Sequence, residues 1–230
     1  MNLDKWDTSQ NVSNFNAKSI TPSGFFGDSD KNIVEVENFI TEEEQSILLE
    51  FMKKNSSFDD IPTEYNENGT LIYDDRPWAN RVATTEQLLK NGAHDIIEIL
   101  NNIVGRFKPI IENFFEVECF ATGPALVRWP VGARQEPHAD KEFHSGPEKG
   151  RANDFPWYDL AGLFYFNDDY EGGELYFPQH GIEFQPVAGA AYFFPGDMNY
   201  THGVRPVTAG NRFTSPFFWT IQKHTGEKQP

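Results

Sequence analysis

Three residues in the C-terminal half could meet on one metal ion. His138 and Asp140 are two apart, and in a strand or its immediate extension residues at that step project to the same face. An imidazole and a carboxylate can then reach a shared cation, although the triplet alone fits a polar strand end equally well. His202 lies in Gly196-Asp197-Met198-Asn199-Tyr200-Thr201-His202-Gly203-Val204, just after the apolar run Ala190 to Phe194, and offers a second imidazole. Two imidazoles and one carboxylate on one face leave positions open for a co-substrate and oxygen, which is the ligand set of non-haem Fe(II) oxygenases. Ten positions later comes Arg212, within Gly210-Asn211-Arg212-Phe213-Thr214, on what should be the next strand. A guanidinium there could clamp the distal end of a dicarboxylate; the plainer reading is an ion-paired or surface arginine.

Such groups need a rigid frame. From about Phe120 onward the chain breaks into short β-type runs separated by Gly, Pro, Asn and Asp: ALVRW, LAGLFYF, ELYF, IEF, AAYFF and FTSPFFWTI. Closely spaced strands without alternating helices predict a sandwich or barrel, best an antiparallel double-stranded β-helix of the jelly-roll, cupin-like type. Two helices should buttress it. One follows Ile33 to Val36, a short strand, and starts at a capping box made by Thr41 and Glu44, with Ile47, Leu48, Phe51 and Met52 as its apolar stripe. The other carries Ile96, Leu100, Ile103, Phe107, Ile110 and Phe114 at three- and four-residue steps, with a kink expected at Pro109. The fold class is therefore mainly β with flanking N-terminal helices.

Residues 1–30 are polar and aperiodic and read as an N-terminal arm, with a single catalytic domain over 31–230 and its core at 120–222. Residues 65–81 read as a surface loop, with a substrate lid as the less favoured role. The 19 basic residues against 35 acidic ones give a formal charge of −16, which argues against nucleic acid or an anionic membrane surface as partner. Cys119 is the one cysteine, the N-terminus has no signal-peptide pattern, and no apolar run approaches the roughly 20 residues of a membrane span. A cytoplasmic setting is the expectation.

The stretch from Val127 to Gln222 resembles the prolyl 4-hydroxylase-like branch of the Fe(II)/2-oxoglutarate dioxygenases, including bacterial PKHD-type hydroxylases. The resemblance rests on WPVGARQEPHAD, LFYFNDDYEGGELYFP, GAAYFFPGD, HGVRPVTAGNRF and FFWTIQ, in the family's order and near its spacing, and FITEEEQSILLEFM looks like its N-terminal helix. It implies that His138, Asp140 and His202 bind iron and that Arg212 pairs with the C5 carboxylate of 2-oxoglutarate. Tyr165 matches a tyrosine that in some relatives bonds the same carboxylate; on its own it reads equally as a core tyrosine. Thr214, two past Arg212, could add a hydroxyl contact.

The implied activity uses Fe(II), 2-oxoglutarate and O2, with room for ascorbate, to hydroxylate an unactivated C–H bond and release succinate and CO2. A prolyl residue in a peptide or protein leads as substrate; a free amino acid or other small molecule is the alternative. The chain departs from many prolyl hydroxylases at Trp129 and Gln135, where they have Tyr, and at Leu175, where they have Thr. Arg212 and Tyr165 must then carry more of the co-substrate binding, with Leu175 against its aliphatic carbons. Phe218 stands where a tryptophan is common, and Trp219 follows it. Trp129, Tyr192, Phe194 and Trp219 could keep the site dry, although as a group they suit the core better. Arg134, Arg151, Trp157 and Asp74 to Arg81 are candidate substrate contacts that read first as solvated loop residues. A cupin-like metalloprotein needing no 2-oxoglutarate, and a non-catalytic barrel, remain open on the residues alone.

Overall fold

The computed structural model describes residues 21–54, 64–65, 71–73 and 81–221. Residues 1–20 of the expected arm and Asp74 to Asn80 lie outside them.

Helix α1 (Glu42–Lys54) begins at the capping box read from the sequence. The Thr41 N–H donates to Glu44 Oε2 (3.1 Å) and the Glu44 N–H to Thr41 Oγ1 (3.2 Å), so two otherwise orphaned backbone donors are satisfied. Arg106 grips Glu44 through both Nη atoms, each at 2.8 Å, and so ties α1 to the long helix. A short helix, α2 (Thr85–Lys90), is capped by Thr84, whose hydroxyl accepts from the Gln87 N–H. The long helix, α3 (His94–Phe115), runs through Pro109 as a single element. Its buried stripe includes Ile96, Leu100, Ile103 and Phe107, whereas Phe114 near its end is 44% exposed.

Six strands form the spine of the larger antiparallel sheet, in the order β1 (Val34–Val36), β12 (Ala191–Pro195), β8 (Leu160–Tyr165), β15 (Arg212–Thr220), β6 (Ala125–Trp129) and β4 (Val82–Thr84); β5 (Phe120–Ala121) also pairs with β15. The smaller sheet runs β11 (Ile182–Phe184), β10 (Leu175–Phe177), β13 (His202–Val204) and β7 (Gln135–His138). Two ribbons complete the set: β9 (Glu171–Gly172) with β14 (Val207–Ala209), and β2 (Glu64–Tyr65) with β3 (Leu71–Tyr73). Tyr165, Tyr192 and Phe194 of the larger sheet share one core with Leu175 and Phe177 of the smaller. The two sheets thus close into the jelly roll that the strand spacing predicts. Among the described residues no helix is long and apolar enough to cross a membrane.

Alternation along β15 decides which residues see which core. Phe213, Phe217 and Trp219 pack with the helices on the outer face of the larger sheet, while Phe218 joins the inner core. Trp219 therefore does not line the site, a correction to its grouping with the interior aromatics. On the helical side Phe107 meets Phe39, Phe164 and Phe193 with ring centroids 4.9, 5.0 and 5.6 Å apart. Phe107→Ala should therefore lower the unfolding free energy by about 3–5 kcal/mol, measured by urea denaturation. A loss below about 1 kcal/mol would mean that the site collapses around the deletion.

The described part of the arm is docked. Thr21 is buried, its hydroxyl donating to Asp159, while the Gly24 N–H donates to Asp197 Oδ2 at 2.8 Å. The edge strand comes from β1, which pairs Val34 with Phe193 and Val36 with Ala191.

Candidate metal and dicarboxylate site

Antiparallel pairing of β7 with β13 sets His138 directly opposite His202. The imidazole centroids are 4.4 Å apart, and one ligand atom from each of His138, Asp140 and His202 falls within 4.8 Å of the others. Asp140 Oδ1 lies 3.7 Å from His138 Nε2 and 4.0 Å from His202 Nε2. Each histidine has its other nitrogen committed. His138 Nδ1 sits 3.1 Å from the Glu136 carbonyl and His202 Nδ1 3.1 Å from the Tyr200 carbonyl. A carbonyl only accepts, so Nδ1 carries the proton in both rings and the Nε2 lone pairs face one another and Asp140.

Burial sets the charge state. It lowers the His138 imidazole to about 4 and His202 well below the usual range, the histidines' mutual repulsion adding to the latter. The same desolvation raises the Asp140 carboxyl to about 8. Asp140 Oδ2 is enclosed without a hydrogen-bond partner. Two neutral imidazoles and a buried carboxyl with an unpartnered oxygen, which would give up its proton to a bound cation, are a donor set that a divalent first-row metal would satisfy, and Fe(II) fits it.

The loop carrying Asp140 is held by backbone. The Asp140 and Lys141 N–H groups both donate to the Gly196 carbonyl, at 2.9 and 3.1 Å, and the Gly196 N–H donates to the Asp159 carbonyl at 2.9 Å. A Cβ at Gly196 would stand 2.1 Å from the Tyr158 carbonyl and 3.3 Å from Asp140 Cβ. Gly196→Ala should therefore weaken metal binding by about 10- to 100-fold, the range for disturbed outer partners of a metal centre, as read by titration with Mn(II). Unchanged affinity would show that the loop can give way without moving Asp140. Behind it, Lys141 Nζ reaches Asp159 Oδ1 at 3.1 Å and the Thr21 carbonyl at 2.8 Å, both charged side chains being 1–2% exposed. None of this bracing was visible in the sequence, because the partners are far apart along the chain.

Deeper in the barrel stands Arg212. Its side chain is 0% exposed, with the Trp129 ring 4.6 Å and the Tyr165 ring 4.7 Å from the guanidinium carbon. Nη2 donates to Tyr165 Oη at 2.6 Å, while Nε and Nη1 are buried without a hydrogen-bond partner. Among the described residues no carboxylate forms an ion pair with it. A fully enclosed cation with two idle donors is a receptor for an anion, and a bidentate carboxylate is the shape it fits. Strand register builds the rest: Arg212 lies opposite Trp129 and Thr214 opposite Tyr165. Trp129 Nε1 donates to Thr214 Oγ1 at 3.0 Å, leaving the threonine proton available, and Leu175 is buried in the same inner core.

The structure thus gathers His138, Asp140 and His202 at one end and Trp129, Tyr165, Leu175, Arg212 and Thr214 on the inner face. Gln135 is close too: its Nε2 is 3.0 Å from His138 Nε2, so the amide caps the lone pair that a metal would take. A cleft of about 610 Å³ beside His138 is lined by Arg81, Pro130, Gly132, Ala133, Arg134, Gln135, Glu136 and Pro137. Arg134 pairs with Glu136 and Arg151 with Glu148 on the surface, and His144 is outside the metal cluster. Trp157 packs edge-on to Phe155 and Tyr158, in an aromatic group that continues by stacking to Phe218.

Residues 125–220 match the 2OG-Fe(II) oxygenase superfamily. A PKHD-type hydroxylase of Pseudomonas aeruginosa (strain LESB58) is 37% identical over 87 residues, covering 36% of this chain and 34% of that protein. Prolyl 3-hydroxylase 1 of Gallus gallus is 23% identical over 147 residues, 56% of this chain and 20% of the relative. The matches span about a third or less of these curated relatives. Among solved structures, a viral collagen prolyl hydroxylase of Paramecium Bursaria Chlorella virus-1, in a 2OG complex, aligns with TM-score 0.56 at 15% identity over 84% of this chain and 98% of that one. A Trichoplax adhaerens prolyl hydroxylase, in complex with a hypoxia inducible factor oxygen degradation domain peptide fragment, gives 0.52 at 15% identity over 87% and 89%. These two likenesses are of fold. Residues 125–220 therefore resemble the 2OG-Fe(II) oxygenase superfamily, and the His138, Asp140, His202 cluster inside that stretch is a ligand set that Fe(II) fits.

Proposed function

We propose that the chain is an Fe(II)- and 2-oxoglutarate-dependent dioxygenase that hydroxylates a prolyl residue in a peptide or protein. The observation that carries the reaction class is the pairing of the His138, Asp140, His202 cluster with a buried guanidinium that has two unpartnered nitrogens, in one barrel. The substrate class is supported by the curated relatives, a PKHD-type hydroxylase and prolyl 3-hydroxylase 1, and by the open cleft beside His138. His138, Asp140 and His202 would hold the iron, and Arg212 with Tyr165 the far carboxylate of 2-oxoglutarate.

Once bound, the metal and co-substrate supply the oxidising chemistry: one O2 is shared between substrate, which gains a hydroxyl, and 2-oxoglutarate, which leaves as succinate and CO2. The chain's own share is placement and dryness. The carbonyls of Glu136 and Tyr200 fix both imidazole tautomers, and Phe177 and Phe194 pack against His202 at centroid distances of 5.6 and 4.6 Å. The inner core around Leu175 and Tyr192 excludes water, so the Arg212 charge acts at low dielectric.

The deciding experiment is anaerobic titration of metal-free protein with Fe(II) and then 2-oxoglutarate, followed by a screen of proline-containing peptides for coupled succinate release. A visible chelate band and peptide-dependent succinate support the proposal. Metal binding with no band would remove 2-oxoglutarate from the reaction, and a band with turnover only on free amino acids would replace the peptide substrate.

A further inference from the structure

Arg212 has a further neighbour, Tyr170, on the loop that follows β8. Tyr170 ends the stretch Asn167-Asp168-Asp169-Tyr170, and a Cβ added at Gly210, just after β14, would stand 3.1 Å from its Cα. The residue is 7% exposed, and its buried hydroxyl lies near enough to the Arg212 guanidinium to feel its charge but makes no hydrogen bond of normal geometry. The ring and the Arg212 side chain are packed side by side against the same backbone. A Cβ added at Gly173 would lie 3.0 Å from Arg212 Cδ and 3.2 Å from Tyr170 Cε2. These two neighbouring side chains thus carry three buried polar atoms without a hydrogen-bond partner, Arg212 Nε, Arg212 Nη1 and Tyr170 Oη, while Tyr165 Oη already accepts from Arg212 Nη2.

Leaving one buried polar atom unpaired costs free energy, and clustering several around a cation raises that cost unless a ligand pairs with them. Burial raises the Tyr170 phenol above its ordinary range, with the Arg212 charge only partly opposing, so its proton is in place to be donated. An apolar guest would leave all three donors unsatisfied. A second guanidinium or ammonium would be repelled by Arg212. A carboxylate answers every group present.

We propose that Tyr170 is a co-substrate-binding residue, its hydroxyl donating to the same distal carboxylate that Arg212 receives. This rests on the 2-oxoglutarate reading above and adds one residue to it, supplied by the loop between β8 and β9 rather than by the strands. Tyr165 then has two roles, bracing Arg212 through its oxygen and keeping its own proton for the ligand.

The test is Tyr170→Phe, which keeps the ring and removes only the hydroxyl. Binding to the anaerobic Fe(II)-loaded protein is measured by isothermal titration, with 2-oxoglutarate and with 2-oxobutyrate, which carries the same 2-oxo acid head and no distal carboxylate. The variant should bind 2-oxoglutarate about tenfold to hundredfold more weakly than wild type, with 2-oxobutyrate unchanged. Without ligand it should melt at the same temperature as wild type or higher, because the deleted hydroxyl had no partner. Equal 2-oxoglutarate affinity in the two proteins would overturn the assignment. So would an equal loss for both acids, which would mark Tyr170 as a structural support. If wild type itself binds no 2-oxoglutarate, the proposed function fails first and this inference falls with it, an outcome distinct from the other two.

Discussion

An Asp140→Ala protein should show no measurable turnover and bind Mn(II) or anaerobic Fe(II) more than about 100-fold more weakly than wild type, beyond the loss typical of an outer-shell change. Its metal-free form should nevertheless be at least as stable. Asp140 Oδ2 is buried with no partner, and the raised pKa of about 8 records what enclosing that carboxyl costs. The side chain is held in place by its backbone, through the Gly196 carbonyl, rather than by contacts of its own. Function and stability should thus move in opposite directions, as expected of a group kept for a ligand. Titration calorimetry and thermal denaturation of the same preparations read both. Wild-type metal affinity in the variant would place the metal elsewhere; a large drop in metal-free stability would make Asp140 a structural residue.

Arg212→Leu should show the same opposition at the other end of the site. Two charge-assisted hydrogen bonds to a carboxylate, at about 1.5–3 kcal/mol each, amount to a loss of roughly 100-fold or more in 2-oxoglutarate affinity. Metal binding should be unaffected, because the triad stands on β7, β13 and the loop after β7 rather than on β15. Saturating 2-oxoglutarate should raise the melting temperature of wild type and leave that of the variant where it was. Without ligand, a leucine in place of a buried guanidinium with two idle nitrogens should cost nothing. Retained affinity in the variant would sink the role of Arg212 and would transfer the carboxylate to another cation, Arg81 being the nearest candidate. Arg81 stacks on the same indole, its guanidinium carbon 4.3 Å from the Trp129 centroid, and burial, with help from Arg212, brings its pKa down to about 10.

These contrasts also explain what could be read from the sequence. The strand runs from ALVRW to FTSPFFWTI were legible because each carries enough β-branched and aromatic residues between turn signals, and β6, β8, β10, β11, β12 and β15 lie where those runs stand. The capping box at Thr41 and Glu44 was legible because it is local. The short strands β7, β9, β13 and β14 were not, since QEPH, EG, HGV and VTA have little strand character and exist through their pairing. Trp219 could have been placed correctly from parity, standing an odd number of residues from Arg212 on one strand. Tyr170 had no such signal. Its importance comes from a hydroxyl left without a partner, a property of three dimensions. The Lys141, Asp159 and Thr21 contacts, spanning up to 138 positions, were beyond any local pattern.

The place of β15 has a consequence for biosynthesis. It is the last strand described along the chain, yet it occupies the middle of the larger sheet, between β8 and β6. On the ribosome, β6 and β8 must emerge and wait with their inner edges open until residues 212–220 have cleared the exit tunnel. Thr21 and Gly24, made early, likewise wait for Asp159 and Asp197. The nascent chain therefore cannot close its barrel in stages, and Arg212 arrives with the strand that closes it.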